Sequence, residues 1–347
     1  MSSDSNGNNR LILARPDRIG DVVITSSCFA PIKETLPDAE IYFLAHPRME
    51  PLFRKHPALA GFIPLSQHTD APRRMELLAA QMRKVKAGCI VHLHADEEVE
   101  WAAASAEIPR RIGFRAKGDK WLTESFPNFK KTGNKHEGYF NFDLLELLEV
   151  HPPAKLVPHI TPDADAIERL AQKLPVGIVA GRYAVLHVGA HGEKPRIAPE
   201  FFIAVARWLV KERRLYVVLV SGDKDDETAA AILHGAGSSV SWIHNMCGQT
   251  DLAEMAFLLR DAAVVFGRDS GPAHIAAALG ARTVTFMLEP EPENSARRWT
   301  PLGECSWVLE KPMTRGWFES RPAFARRNLS HFSEEEIVES VKFALEA

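Results

Sequence analysis

The feature that most constrains this chain is an alternation of short apolar runs with stretches of helical periodicity, and it occurs twice. Leu11-Ile-Leu-Ala14, Glu40-Ile-Tyr-Phe-Leu-Ala45 and Cys89-Ile-Val-His-Leu93 read as strands in the first half. Strands that alternate with helical stretches build βαβ units and hence a parallel sheet. The segment around His151-Pro-Pro-Ala154 and Thr161-Pro-Asp163 is proline-rich and irregular, which reads as a linker. The pattern then restarts. Ala184-Val-Leu-His-Val188, Tyr216-Val-Val-Leu-Val220, Ala263-Val-Val-Phe266 and Thr283-Val-Thr-Phe286 read as strands, with helical patterns from Pro199, Ala229 and Pro272. At 347 residues the chain exceeds one ordinary core, so two successive α/β halves are the simplest solution. Ser333 and Glu336 have the spacing of a capping box at the start of a final helix.

Composition narrows the function less than the pattern narrows the fold. Hydrophobic residues make up 46% and charged ones 25%, the make-up of a soluble globular protein. The formal net charge of −3 gives no global reason to expect nucleic acid as a partner. Cys28, Cys89, Cys247 and Cys305 are scattered without a C-x-x-C pair, so reduced thiols are expected and a zinc or redox site is not. The polar N-terminus and the absence of a stretch of roughly 20 apolar residues predict a cytoplasmic chain, with peripheral contact at the inner face of the cytoplasmic membrane left open.

Four segments could carry chemistry. In Arg15-Pro-Asp-Arg-Ile-Gly-Asp21, Gly20 permits a tight strand-to-helix turn and Asp21 falls at a helix start, where a carboxylate either caps or acts. In Asp269-Ser-Gly-Pro-Ala-His274, backbone N–H groups at a helix start form an anion site suited to a pyrophosphate, with capping by Asp269 or Ser270 the alternative. Val188-Gly-Ala-His-Gly-Glu-Lys194 ends on a lysine that either neutralises a phosphate or lies on the surface. Ser221-Gly-Asp-Lys-Asp-Asp-Glu227 follows a strand, where ligands of open α/β sheets bind, and is otherwise a solvated acidic loop.

Together these segments resemble the heptosyltransferases, glycosyltransferase family nine. The likeness runs from Arg15-Pro-Asp-Arg-Ile-Gly-Asp21 and Leu36-Pro-Asp-Ala-Glu-Ile41 through Lys135-His-Glu137 and Leu144-Leu-Glu-Leu-Leu148. It continues through His187 to Lys194, Glu200-Phe-Phe202, Ser221-Gly-Asp223 and Cys247-Gly-Gln-Thr250. Asp269-Ser-Gly-Pro-Ala-His-Ile-Ala-Ala-Ala-Leu-Gly280, Arg298-Trp299 and Pro301-Leu-Gly303 complete it. The resemblance implies a GT-B architecture, two Rossmann-like domains facing across a cleft. Residues 1–165 would form the acceptor side, 176–330 would bind the donor, and the terminal helix 331–347 would pack back on the first domain. It also implies inverting transfer of a heptose or similar sugar, without metal or other cofactor, from an ADP-sugar to a saccharide or glycolipid such as lipopolysaccharide inner core. Asp21 becomes the general base. Lys194, Gly222, Asp223, Asp269, Ser270, Gly271 and His274 become donor-binding residues, with Arg18 and Gly20 as weaker contacts. Asp225-Asp226 reads as solvated.

Two departures bear on specificity. Phe286-Met-Leu-Glu-Pro-Glu-Pro-Glu293 replaces a small neutral turn of the family with an acidic one, which leaves the donor sugar open. His92-Leu-His-Ala-Asp-Glu-Glu98 makes the acceptor side unusual. A basic, aromatic-interleaved stretch from Arg110 to Lys135 is either an attractor for an anionic lipid surface or a solvated loop. Loss of catalysis with the nucleotide site retained, or epimerase or hydrolase chemistry on the same architecture, are the rival readings.

Overall fold

The computed structural model describes residues 9–115, 120–189, 197–224, 226–287, 292–311 and 332–347. The chain divides into two units, Met1–Asp163 and Ala164–Ala347. In the first, β1 (Arg10–Ala14), β2 (Glu40–Ala45), β3 (Leu59–Pro64), β4 (Cys89–His92), β5 (Arg110–Phe114) and β6 (Glu124–Phe126) form one sheet in the order β3-β2-β1-β4-β5-β6. Every neighbouring pair is parallel. Between the strands run α1 (Ile19–Thr25), α2 (Phe29–Thr35), α3 (Glu50–Phe53), α4 (Ala71–Val85) and α5 (Glu97–Ser105), with α6 (Glu137–Leu145) closing the unit.

The second unit repeats the plan. Its strands are β7 (Tyr183–His187), β8 (Tyr216–Val220), β9 (Ile243–Asn245), β10 (Val264–Arg268), β11 (Thr283–Phe286) and β12 (Ser306–Leu309), in the order β12-β11-β10-β7-β8-β9. Its helices are α7 (Asp165–Lys173), α8 (Pro199–Arg213), α9 (Glu227–Gly235), α10 (Leu252–Arg260), α11 (Gly271–Ala278), α12 (Ala296–Trp299) and α13 (Glu334–Glu346). All five residues of β7 and all five of β10 are buried. A parallel sheet covered by helices on both faces demands such runs, which is why these strands were legible as unbroken apolar segments. In each sheet the strand order reverses once, between β1 and β4 and between β7 and β10. At such switch points the loops leaving the carboxyl ends diverge and open a crevice for ligands.

Two expectations change. The terminal helix was expected to pack on the first domain; α13 instead belongs to the core of the second. Ile337, Val341 and Ala344, spaced on one helix face, are fully buried with Phe202, Val205 and Leu209 of α8. Glu346 pairs with Arg213 and Glu336 with Lys311, and Ser333 with Glu336 forms the expected capping box. Second, α7, which falls largely outside the two expected ranges, joins the second unit through Lys173–Glu254 at 2.6 Å and Arg169–Asp251 at 2.8 Å. The basic stretch is largely satisfied internally. Arg110 pairs with Glu124, Arg111 donates to the carbonyls of Trp121 and Ile108, and Lys135 pairs with Asp143. Lys117 lies outside the described residues, as does a second basic group in the sequence, Arg315, Arg321, Arg326 and Arg327. Among the described residues no helix is long and apolar enough to cross a membrane.

Candidate active site

β1 ends at Ala14, and the first side chain beyond it is a deeply buried charge. Arg15 retains 1% of its surface. Nε donates to Asp17 at 2.7 Å, and Nη1 donates to the carbonyl of Leu93 and to Asn141 Oδ1, both at 3.1 Å. Nη2 donates to Glu137 Oε1 at 3.0 Å and to Asp21 Oδ1. A guanidinium carries five N–H donors in a fixed plane, and here each has an acceptor. The acceptors come from the β1–α1 loop, α1, the residue after β4, and α6, so one side chain ties together every element at the first switch point. Lys130 adds a second cation, with Nζ donating to Glu137 Oε1 at 2.6 Å and to the Leu93 carbonyl at 3.0 Å. Asn141 is itself oriented, since Nδ2 contacts Thr25 Oγ1 at 3.4 Å and that hydroxyl donates to the Asp21 carbonyl at 2.9 Å.

This arrangement removes capping from the two roles open to Asp21. The residue preceding α1 is Arg18, and no side chain caps the helix there. Asp21 spends its carboxylate on Arg15 and is not a cap. Its proton affinity is raised, with a pKa of about 7, because burial penalises the charged form. Arg15 opposes that rise, while Asp17 and Glu137 add to it. Lys130 is shifted the other way, to about 8, mainly by burial and then by Arg15. Asp21 still keeps 8% of its side chain accessible, against 1% for Glu137. Asp17 holds His94, Nδ1 to Oδ2 at 3.3 Å, at the exposed rim. Arg18 is exposed and stays outside the cluster. Gly20 lies inside the first turn of α1 with no positive φ, so the turn does not depend on glycine.

The second switch point joins β7 and β10. His187, the last residue of β7, has Nδ1 3.2 Å from Ser270 Oγ, which also donates to the Arg268 carbonyl at 3.1 Å. Ser270 precedes α11 but makes no side-chain cap, so the free N–H groups of that end are not consumed by it. Gly271 and Pro272 open the helix, and His274 Nε2 lies 3.3 Å from Asp269 Oδ1. The adjacent loop is built around Ser221, whose hydroxyl donates to the Asp223 carbonyl at 2.7 Å and accepts from its N–H at 3.2 Å. Gly222 and Asp223 are thereby held at the carboxyl end of β8. Gly248, at φ +65°, backs this loop so closely that a Cβ there would lie 2.8 Å from the Lys224 nitrogen. Asp226, read as solvated, is buried and caps α9 through the N–H groups of Thr228 and Ala229. Asp225, Lys194, Glu289 and Glu291 lie outside the described residues.

All four cysteines are free, and among the described residues no group of three or more His, Cys, Asp or Glu side chains gathers as a metal site. Sequence reasoning missed Arg15, Asp17, Lys130, Glu137 and Asn141 as site members. Their signal was present, because Arg15 and Asp17 share the Asp21 motif and Glu137 belongs to the Lys135-His-Glu137 segment.

The model of glycosyltransferase family 9, the heptosyltransferases, matches residues 78–314, more than half of the sequence. The chain belongs to this family. It is a glycosyltransferase of the heptosyltransferase type. Lipooligosaccharide heptosyltransferase 2 of Haemophilus ducreyi is 24% identical over 279 residues, which is 78% of this chain and 80% of that protein. The E. coli ADP-heptose LPS heptosyltransferase II structure superposes with a TM-score of 0.78 at 19% identity, covering 97% of this chain and 98% of that one. A family 9 structure from Veillonella parvula gives 0.79 at 17% identity, covering 97% of each chain. An E. coli heptosyltransferase solved with ADP gives 0.72 at 14% identity, over 96% of this chain and 99% of that one. The family's two-unit GT-B fold is therefore the fold of this protein.

Proposed function

We propose that this family 9 enzyme transfers a heptose, or a closely similar sugar, from an ADP-sugar to a saccharide acceptor such as the inner core of lipopolysaccharide, inverting the anomeric centre without a metal. The observation that carries this reading is Asp21, a carboxylate beyond the first strand that is paired with buried Arg15, keeps 8% of its side chain accessible, and has its pKa raised by burial to about 7. A general base works best when its pKa lies close to the working pH. In the proposed step the acceptor oxygen forms a bond to the anomeric carbon as its proton passes to Asp21. The bond from that carbon to the diphosphate oxygen breaks, and ADP departs with the electron pair.

The leaving diphosphate needs donors that do not rearrange during the reaction. The amino end of α11, with Ser270 and Gly271, offers backbone N–H groups of that kind, and Lys194 would add a charge. The Ser221–Asp223 loop, braced by Gly248, would hold the adenosine, with Asp269 and His274 ordering the loop beside the donor sugar. A cytoplasmic enzyme touching the inner membrane face at its glycolipid acceptor fits this reading.

The test is calorimetric titration with ADP, UDP, GDP and ADP-heptose, with and without EDTA, followed by transfer assays of wild type and Asp21→Asn. EDTA-insensitive preference for ADP, tighter binding of ADP-heptose, and transfer that disappears in the variant are expected. Preference for UDP or GDP would overturn the donor, full activity of the variant would overturn the base, and binding without turnover would favour a protein that has lost catalysis.

A further inference from the structure

Beside Asp21 the polar cluster at the first switch point contains two further carboxylates, Asp17 and Glu137, and two cations, Arg15 and Lys130, more than holding a base in place requires. Glu137 is the informative member. It is buried to the same degree as Arg15, with 1% of its side chain accessible, so it cannot reach a substrate from where it sits. It nevertheless shares Nη2 of Arg15 with Asp21 and takes the ammonium of Lys130 at 2.6 Å on the same oxygen.

We propose that Glu137 and Lys130 are positioning residues for Asp21, with Glu137 drawing on the same nitrogen of Arg15 as Asp21 and Lys130 offsetting the charge of Glu137. This inference rests on Asp21 being the base. A carboxylate that draws on the shared guanidinium weakens its hold on the Asp21 anion, so Asp21 takes a proton more readily. An ammonium on that carboxylate offsets the effect. The two residues therefore act on Asp21 with opposite sign, although they touch each other. The other charged or titratable groups facing Asp21 are Arg15 and Asp17 from the loop after β1, with His94 beyond Asp17 and Arg18 exposed just before α1. Asn141 of α6 and Cys28, held protonated by burial, complete the surroundings without charge.

The experiment follows the Asp21 carboxyl directly by NMR in protein carrying 13C at aspartate side-chain carboxyls, with the signal assigned by its loss in Asp21→Asn. Glu137→Gln removes a charge but keeps the shape, and the Asp21 midpoint is expected to fall by about one pH unit, a tenfold loss of proton affinity. Lys130→Gln is expected to raise it by a similar amount. Near-UV circular dichroism checks that each variant is folded; the rise in Lys130→Gln, or in Lys130→Met should that variant not fold, is the decisive sign, because a loosened and hydrated site would lower the midpoint. A merely structural role would loosen the site in both variants and move the midpoint in the same direction. Movement of both in one direction, or of neither, overturns the proposal. Because the titration needs no substrate, it separates this inference from the base assignment. Transfer by Asp21→Asn at the wild-type rate would remove the base while leaving the measured coupling intact.

Discussion

Replacing Asp21 by asparagine should make the protein more stable, and only above a definable pH. Burial raises the Asp21 pKa from 3.8 to about 7. A carboxyl whose folded pKa is raised contributes stability that is fully present below its unfolded pKa and lost as pH rises through the folded one. The relevant window is therefore about pH 4 to 7. A shift of about three units at roughly 1.36 kcal/mol each sets an upper bound of about 4 kcal/mol. For a unit of this size that is on the order of 10 °C in melting temperature. His56 and His92, lowered by burial to about 4 and about 3, slope the other way in the same range. Only the difference between variant and wild type isolates Asp21. Thermal unfolding of both proteins at closely spaced pH values between 4 and 8 should give curves that coincide at the acid end and separate steadily, with the asparagine variant above. A constant offset, or a variant that melts lower at pH 8, would refute a buried carboxylate held against its own desolvation.

Three further outcomes are expected. Gly248→Ala forces a side chain into a left-handed backbone against the Lys224 nitrogen, so it should cost about 1–3 kcal/mol and weaken ADP binding by calorimetry; an unaltered melting temperature would show that the loop gives way freely. Ser270→Ala removes the hydroxyl contacting His187 and the Arg268 carbonyl, worth about 1 kcal/mol, and ADP affinity should fall about fivefold. Unchanged affinity would detach that pair from the donor loop. Glu254→Gln strips a fully buried carboxylate from Lys173 and Arg169 and weakens the capping box with Asp251; a loss of about 1–3 kcal/mol is expected in denaturant unfolding, and wild-type stability would mean that α7 is held by its apolar contacts alone.

The strands flanking both switch points were legible because a strand covered on both faces must be apolar at nearly every position. The edges were not. β6 and β12 are only partly buried, and β3 carries Gly61 and Pro64, so no apolar run announces them. Asp21, Asp269 and Ser270 stood out as candidates because strand-end loops are local in sequence. Whether each caps or acts was not local. For Asp21 it depended on Arg15 turning inward, and Arg15 has its reason to do so only when Asn141 and Glu137 arrive from more than 120 residues away. Lys130 looked like one more charge in a basic stretch for the same reason. The destination of α13 was equally invisible, since an apolar stripe states that a helix is buried without saying against what.

The saturation of Arg15 also bears on how the first unit assembles. A guanidinium cannot leave water one hydrogen bond at a time without stranding its remaining donors in a low-dielectric interior. Its partners close chain separations of 2, 6, 78, 122 and 126 residues. The charge can be enclosed only when the β1–α1 loop, the end of β4 and α6 have all docked, which ties its burial to the slowest, least local contacts of the unit. The site is thus expected to form late and all at once in folding. A chain arrested before that point keeps Arg15 hydrated and leaves Asp21 without its partner, so on the proposed mechanism partly folded molecules are expected to be silent rather than weakly active.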